Sequence, residues 1–159
     1  VNVQPFLIGD GWIEVRDGDP TGRDIFSRHY TFRRRPPGEQ PLIYVGPGFK
    51  LVLLSADGDA LCAWRKADIR QDGQTGIECC IFRREGDDLA SSQLRAAMHA
   101  ALHRWPGERM FTFVDPRAVA PTWRAGRPTW GHCFYQAGWK FVGLTKKGLH
   151  ILAYEPEVA

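Results

Sequence analysis

Apolar and polar positions along the 159-residue chain follow two periods, one long and helical, the other short and strand-like. Leu94, Ala97, Met98, Ala101, Leu102 and Trp105 stand at i, i+3, i+4, i+7, i+8 and i+11, an apolar stripe along one helix face. Ser91 or Ser92 can cap the start of this helix and Pro106-Gly107 stops it. The remaining apolar runs are too short for helices and suit strands: Trp12 to Val15, Phe49 to Leu54, Ala60 to Trp64, Ile77 to Phe82, Arg109 to Val114, Lys140 to Leu144 and Leu149 to Tyr154. Asp57-Gly58-Asp59 reads as a hairpin turn between two of them, and Gly9-Asp10-Gly11 as a turn before the first. The cluster Asp17 to Gly22 ends the first strand. Short helices are expected from Arg23 to Tyr30 and from Trp130 to Ala137, with Gly138 past the end of the second. Pro36-Pro37-Gly38 forces a loop, and Ala118 to Pro128 reads as irregular.

This order predicts one domain over residues 1–159, of α+β or mixed α/β class, with helices on a largely antiparallel sheet of about seven strands. The regular βαβ rhythm and glycine fingerprint of a dinucleotide-binding domain are absent.

Composition narrows the setting. Apolar residues make up 43% and charged residues 25%, with a mean hydropathy of −0.33, values of a folded globule rather than a disordered tail. No apolar run reaches the ~18–20 residues of a membrane span. Val1 opens no basic-then-apolar signal segment, and the absent initiator Met implies a trimmed or incomplete N-terminus. Cys62, Cys79, Cys80 and Cys133 form no CxxC pair, and neighbours on a strand face opposite ways. These read as buried free thiols of a cytoplasmic protein.

The net charge is only +3, but all basic residues except Lys50, Lys66, Lys140, Lys146 and Lys147 are arginine. A GC-rich genome explains that bias; phosphate contact is the additional reading, since guanidinium is a planar, permanently charged fork.

Several groups have the right chemistry for a site. The junction from Arg83 to Gln93 ends a strand and begins the long helix, whose N-terminus, with Ser91, Ser92 and Arg83 or Arg84, can hold an anion or is an ordinary capped helix start. Asp87 and Asp88 oppose that. His29 can move a proton near neutral pH and Tyr30 can donate to a developing anion; a core-edge histidine beside a packed tyrosine is the plainer alternative. Arg33-Arg34-Arg35, near Tyr30 and Phe32, suits phosphate contact with base stacking, or a solvated charge run. Arg124 and Arg127 offer a second basic contact. His99 and His103 have the spacing of a metal-binding helix, but Ala100 stands where such helices carry an acid, so no metal is expected. Asp115 either orients a catalytic group or starts a turn with Pro116.

The element order from Trp12 to Tyr154, the strand-loop-helix at Ile77 to Trp105 and Cys133-Phe134-Tyr135-Gln136-Ala137-Gly138-Trp139 resemble the GNAT superfamily of N-acetyltransferases. That resemblance implies two central strands that splay apart, with acetyl-CoA or another acyl-CoA in the gap along Ile81 and Phe82 and its pyrophosphate at the long helix, near Ser91 and Ser92. The glycines of the family's phosphate loop fall here on Leu89 and Ser91, and Phe134 and Tyr135 both lie near the place of its acidic tyrosine.

A narrower likeness lies in Ser27-Arg28-His29-Tyr30, Ser91-Ser92, Val114-Asp115-Pro116 and Cys133 to Trp139. These resemble divergent phage and prophage relatives that include the Mom family of DNA-modifying enzymes, which convert adenine to an N6-carbamoylmethyl derivative. The resemblance implies DNA and an acyl or alkyl-amide donor as partners. DNA phosphates would lie on Arg28, Arg33, Arg34, Arg35, Arg124 and Arg127, His29 or Asp115 would handle the proton, and Tyr30 or Tyr135 would stabilise charge. A conventional amine acetyltransferase and a non-catalytic DNA-binding domain are the competing expectations.

Overall fold

A computed structural model describes residues 6–8, 11–68 and 70–157. Gly9 and Asp10 of the first expected turn lie outside the described residues. The elements run β1 (Phe6–Ile8), β2 (Trp12–Val15), α1 (Pro20–Phe26), β3 (Phe49–Ser55), β4 (Ala60–Lys66), β5 (Ile77–Arg84), α2 (Ala90–Arg104), β6 (Met110–Val114), β7 (Thr122–Arg124), β8 (Arg127–Thr129), α3 (His132–Gln136), β9 (Lys140–Leu144) and β10 (His150–Tyr154). The class is α+β. Eight strands form one mixed sheet in the order β1-β2-β3-β4-β5-β6-β10-β9; all neighbours are antiparallel except β5 and β6.

Alternation along the strands builds a core on each face. In β4, Ala60, Cys62 and Trp64 face α2 and α3, while Leu61 and Ala63 face α1. The strand is an unbroken apolar run because both faces are covered. On the first face Leu94, Ala97, Met98 and Ala101 of α2 meet Leu51, Leu53 and Trp64, and the alanines let the helix lie close. Trp12 Nε1 donates to Gln93 O at 3.0 Å, tying β2 to the same helix. On the second face Ile25 of α1 packs on Val52, Leu61 and Ile81.

All three helix starts differ from expectation, with α3 beginning at His132 rather than Trp130 after the left-handed Gly131. Helix α1 begins at Pro20, not Arg23: Asp19 accepts the Gly22 N–H at 2.9 Å and Pro20 occupies the first turn, so the residues read as a turn are a helix cap. Helix α2 begins at Ala90 with Leu89 at its cap and no side-chain cap bond; Ser91 and Ser92 already sit inside the first turn and cap nothing. The stretch Ala118 to Pro128 is also more ordered than expected. It contains most of the hairpin β7–β8, turned by Ala125 (φ 50°) and Gly126 (φ 76°), two left-handed residues as such a tight turn demands.

The sheet opens between β5 and β6. They pair only through Ile77↔Met110 and Glu78↔Phe111. Across β5, Trp64 of β4 pairs with Cys79 and Ala63 with Ile81, so Cys80 is an extra residue without a partner. Such a bulge bends and twists its strand, and beyond it β5 leaves β6. The bulge also reverses the parity of the residues after it: Ile81 packs on the α1 side and Phe82 on the α2 side.

Candidate functional site

Where β5 and β6 part there is a cavity of about 290 Å³, lined by residues including His29, Tyr30, Cys79, Phe82, Arg83, Thr112 and Cys133. Thr112 Oγ1 donates to Cys79 O at 2.8 Å, the last bridge between the strands. Phe82 and Phe134 meet edge-on at 6.1 Å across the α3 side. Burial pushes the Cys133 thiol up to about 11 and raises Cys79 and Cys80 well above the usual thiol range. These thiols stay protonated at neutral pH and are poor nucleophiles.

His29 and Tyr30 arrive on the turn that follows α1, in which the His29 N–H donates to Phe26 O at 2.9 Å. The Tyr30 hydroxyl donates to Phe113 O at 3.3 Å and accepts the Asp115 N–H at 3.4 Å. It thereby stitches the turn to the end of β6 that β5 has left. Burial raises its pKa, so the phenol stays protonated.

The His29 ring lies 4.7 Å from the Tyr30 ring. Thr31 holds its Nδ1 from two sides, with the backbone N–H donating at 3.3 Å and the hydroxyl at 2.7 Å. An acceptor at Nδ1 puts the proton of the neutral ring on Nε2. Burial, with a contribution from the Arg83 charge, lowers the His29 pKa to about 4. At neutral pH His29 thus offers a neutral N–H donor, and among the described residues its Nε2 has no partner.

Other expected site residues are engaged elsewhere. Asp115 Oδ1 accepts the backbone N–H and Nε of Arg117, both at 3.0 Å, which hold its carboxyl below the usual range; its side chain forms a turn and does not orient His29. Arg28 grips Glu85 with a two-pronged contact at 2.7 and 2.6 Å and pairs with Asp24 at 3.0 Å. Arg83 reaches the same Glu85 at 2.8 Å, and the Arg28 contact first, then Arg83, bring the Glu85 pKa down to about 2. Neither arginine is a free cation. Tyr135 packs at the edge of the α2–α3 core and Ile81 faces α1 because of the bulge; neither lines the cavity.

At the start of α2, Ser91 is buried, 3% exposed, and Ser92 lines a different groove beside Gly11, Trp12 and Asp57. A Cβ at Gly86 would collide with the Asp59 carboxylate, so the one glycine of this loop serves a packing contact. Asp87 and Asp88 precede the helix. These residues do not make a glycine-lined cradle of the kind that brings backbone N–H groups close to a pyrophosphate.

Two cationic segments adjoin the cavity's lining residues along the chain. Arg33, Arg34 and Arg35 follow the His29–Thr31 turn and are exposed. Arg124 and Arg127 stand directly opposite each other on β7–β8, beside Trp123, which is 64% exposed; Val119 and Gly131, on either side of this hairpin, line the cavity. Among the described residues no carboxylate pairs with any of these five arginines. Like charges opposed across a hairpin are unfavourable without a counter-ion.

Sequence reasoning missed Thr31, Thr112, Glu85 and Trp123. Only Trp123 had a signal, an aromatic residue next to Arg124 in a segment that reads as irregular. No protein-family model, no curated protein and no solved structure matches the chain.

Proposed function

We propose that this domain is a group-transfer enzyme of GNAT-like architecture that modifies a nucleobase in DNA. The observation that carries the reading is the cavity at the parting of β5 and β6, with His29 at its wall and with two segments next to its lining residues in the chain whose arginines have no carboxylate partner among the described residues. Arginines without a carboxylate partner, with aromatic neighbours, suit a phosphate backbone and an extruded base. The parted strands support the GNAT-like likeness.

The transfer joins the exocyclic nitrogen of the base to a carbon of an activated acyl or alkyl-amide donor. The donor's bond to its leaving group breaks, and the nitrogen's proton departs with that group. For an acyl donor, His29 Nε2–H donates to the carbonyl oxygen as negative charge builds there; for an alkyl-amide donor the charge builds on the leaving group and Nε2–H donates to that group. Either stabilisation costs little reorganisation because Thr31 already fixes the ring. Tyr30 acts as a positioning residue, its hydroxyl being used on Phe113 and Asp115. The start of α2 does not fit coenzyme A, so no step is assigned to that group.

A second reading, a DNA-binding domain without catalysis, is favoured by the missing cradle and by the commitment of Tyr30 and Asp115 to backbone and turn contacts. One experiment separates the two. Nucleosides from the DNA of a bacterial host expressing the protein are analysed by mass spectrometry. A new nucleoside, absent with His29→Ala, is expected; unaltered nucleosides together with steeply salt-dependent DNA binding would establish the non-catalytic reading instead.

A further inference from the structure

A second pocket, of about 470 Å³, lies between α1 and the loop that follows it, and the transfer chemistry at His29 makes no use of it. Its wall is aromatic. Phe26 meets Phe32 edge-on at 5.4 Å and Tyr44 at 5.6 Å. Gly22 is what allows Tyr44 to lie against α1, because a Cβ there would strike the Tyr44 hydroxyl. Arg33 and Arg35 stand among the lining residues. Arg33 Nη1 donates to the carbonyls of Tyr30 and Phe32 at 3.2 and 3.3 Å, which holds the guanidinium in place without neutralising it. The carboxylate in the wall, Asp24, is paired with Arg28.

An aromatic wall with two cations among its lining residues, Arg33 held in place, is complementary to a planar heteroaromatic ring that carries a phosphate. The pocket also adjoins the cavity: the Phe26 ring is 6.2 Å from the ring of His29, and Thr31, which holds His29, lines the pocket itself.

We propose that this pocket stacks the unpaired base next to the one presented to His29, with the two phosphates that flank the stacked nucleotide on Arg33 and Arg35. The inference rests on the DNA reading and specifies it: the substrate is single-stranded or locally opened DNA, gripped at two adjacent nucleotides.

The test measures fluorescence anisotropy of a labelled 12-nucleotide single strand, and of its abasic counterpart, over a range of salt concentrations. Wild-type protein is expected to bind the base-bearing strand more tightly. Phe32→Leu keeps apolar volume but removes the ring, and is expected to weaken binding of that strand by about 5- to 150-fold with an unchanged salt slope. Arg33→Gln combined with Arg35→Gln is expected to lower the slope by about 1.4. If Phe32→Leu has no effect while the arginine variant lowers the slope, the arginines act as surface charge and the pocket is not a base site. An abasic strand bound as tightly as the base-bearing one by wild-type protein overturns the pocket without need of a variant. Wild-type protein that binds neither strand overturns the DNA reading itself.

Discussion

The two ends of β5 are built by opposite means. At its start the strand is clamped to β6: the Ile77 N–H donates to Arg109 O at 2.8 Å, and parallel pairing covers Ile77 and Glu78. Past Glu78 the same strand has no further paired residue on β6, and side chains take over. Thr112 holds Cys79 from below, while Tyr30 occupies the end of β6 from another part of the chain. The clamp needs backbone approaching backbone, so it is intolerant of added atoms. The open end is held by a few hydroxyl bonds, and that economy leaves room for a ligand.

The clamp is therefore the place to break the molecule. Gly76 has φ +100°, and a Cβ on it would collide with the carbonyl of Arg109. Gly76→Ala combines a backbone collision with a conformation that L residues rarely adopt, and is expected to cost about 3 kcal/mol or more. Urea unfolding measures it. A loss below about 1 kcal/mol would show that the two strands are not held at this point.

At the open end the corresponding experiment is a pH titration. The folded-state pKa of His29 lies below its ordinary 6.5, at about 4, because burial disfavours the charged ring. Between these values the unfolded chain binds more protons than the folded one, so stability rises with pH. The contribution is complete above pH 6.5 and is lost as pH falls from 6.5 towards 4, a change of up to ~3 kcal/mol. His29→Gln is expected to remove this component. Parallel stability–pH curves for wild type and variant across that window would refute the half-buried, neutral histidine.

How far the sequence discloses the molecule follows the same division. Helix α2 and the long strands were legible because burial against a sheet imposes periods of 3.6 and 2 that side chains record directly. The parting of β5 from β6 was not legible from residue pattern, because a bulge consists of an unpaired position and Cys80 looks like any other apolar strand residue. That one residue then misplaced Ile81 by a face. His29 was legible as a residue type, whereas its tautomer depends on Thr31, whose role has no sequence mark. Arg28 and Arg83 looked like free cations for want of knowing that Glu85 would lie between them. Arg33 to Arg35 and the pair Arg124 and Arg127 were legible as basic segments, and the structure adds that no carboxylate pairs with them among the described residues.

The smallest expected effects separate the two hydroxyls that hold the open end. Thr112 is buried, and its bond to Cys79 O has no competitor from water. Thr112→Val keeps the shape and leaves a buried carbonyl without that donor, at an expected cost of about 1–3 kcal/mol. Tyr30→Phe removes a longer bond at a half-buried position and is expected to cost about 0.5–1.5 kcal/mol. Their functional consequences differ in kind. Thr112 lies where the strands diverge, so its loss loosens the floor of the cavity. Tyr30 keeps the His29 turn on β6, so its loss displaces the donor Nε2–H relative to the cavity while the sheet stays intact. Tyr30→Phe is thus expected to be the milder variant in urea unfolding and the more damaging one for nucleoside modification. The reverse order would mean that His29 is held in place by Thr31 alone and that Tyr30 serves only to close the core.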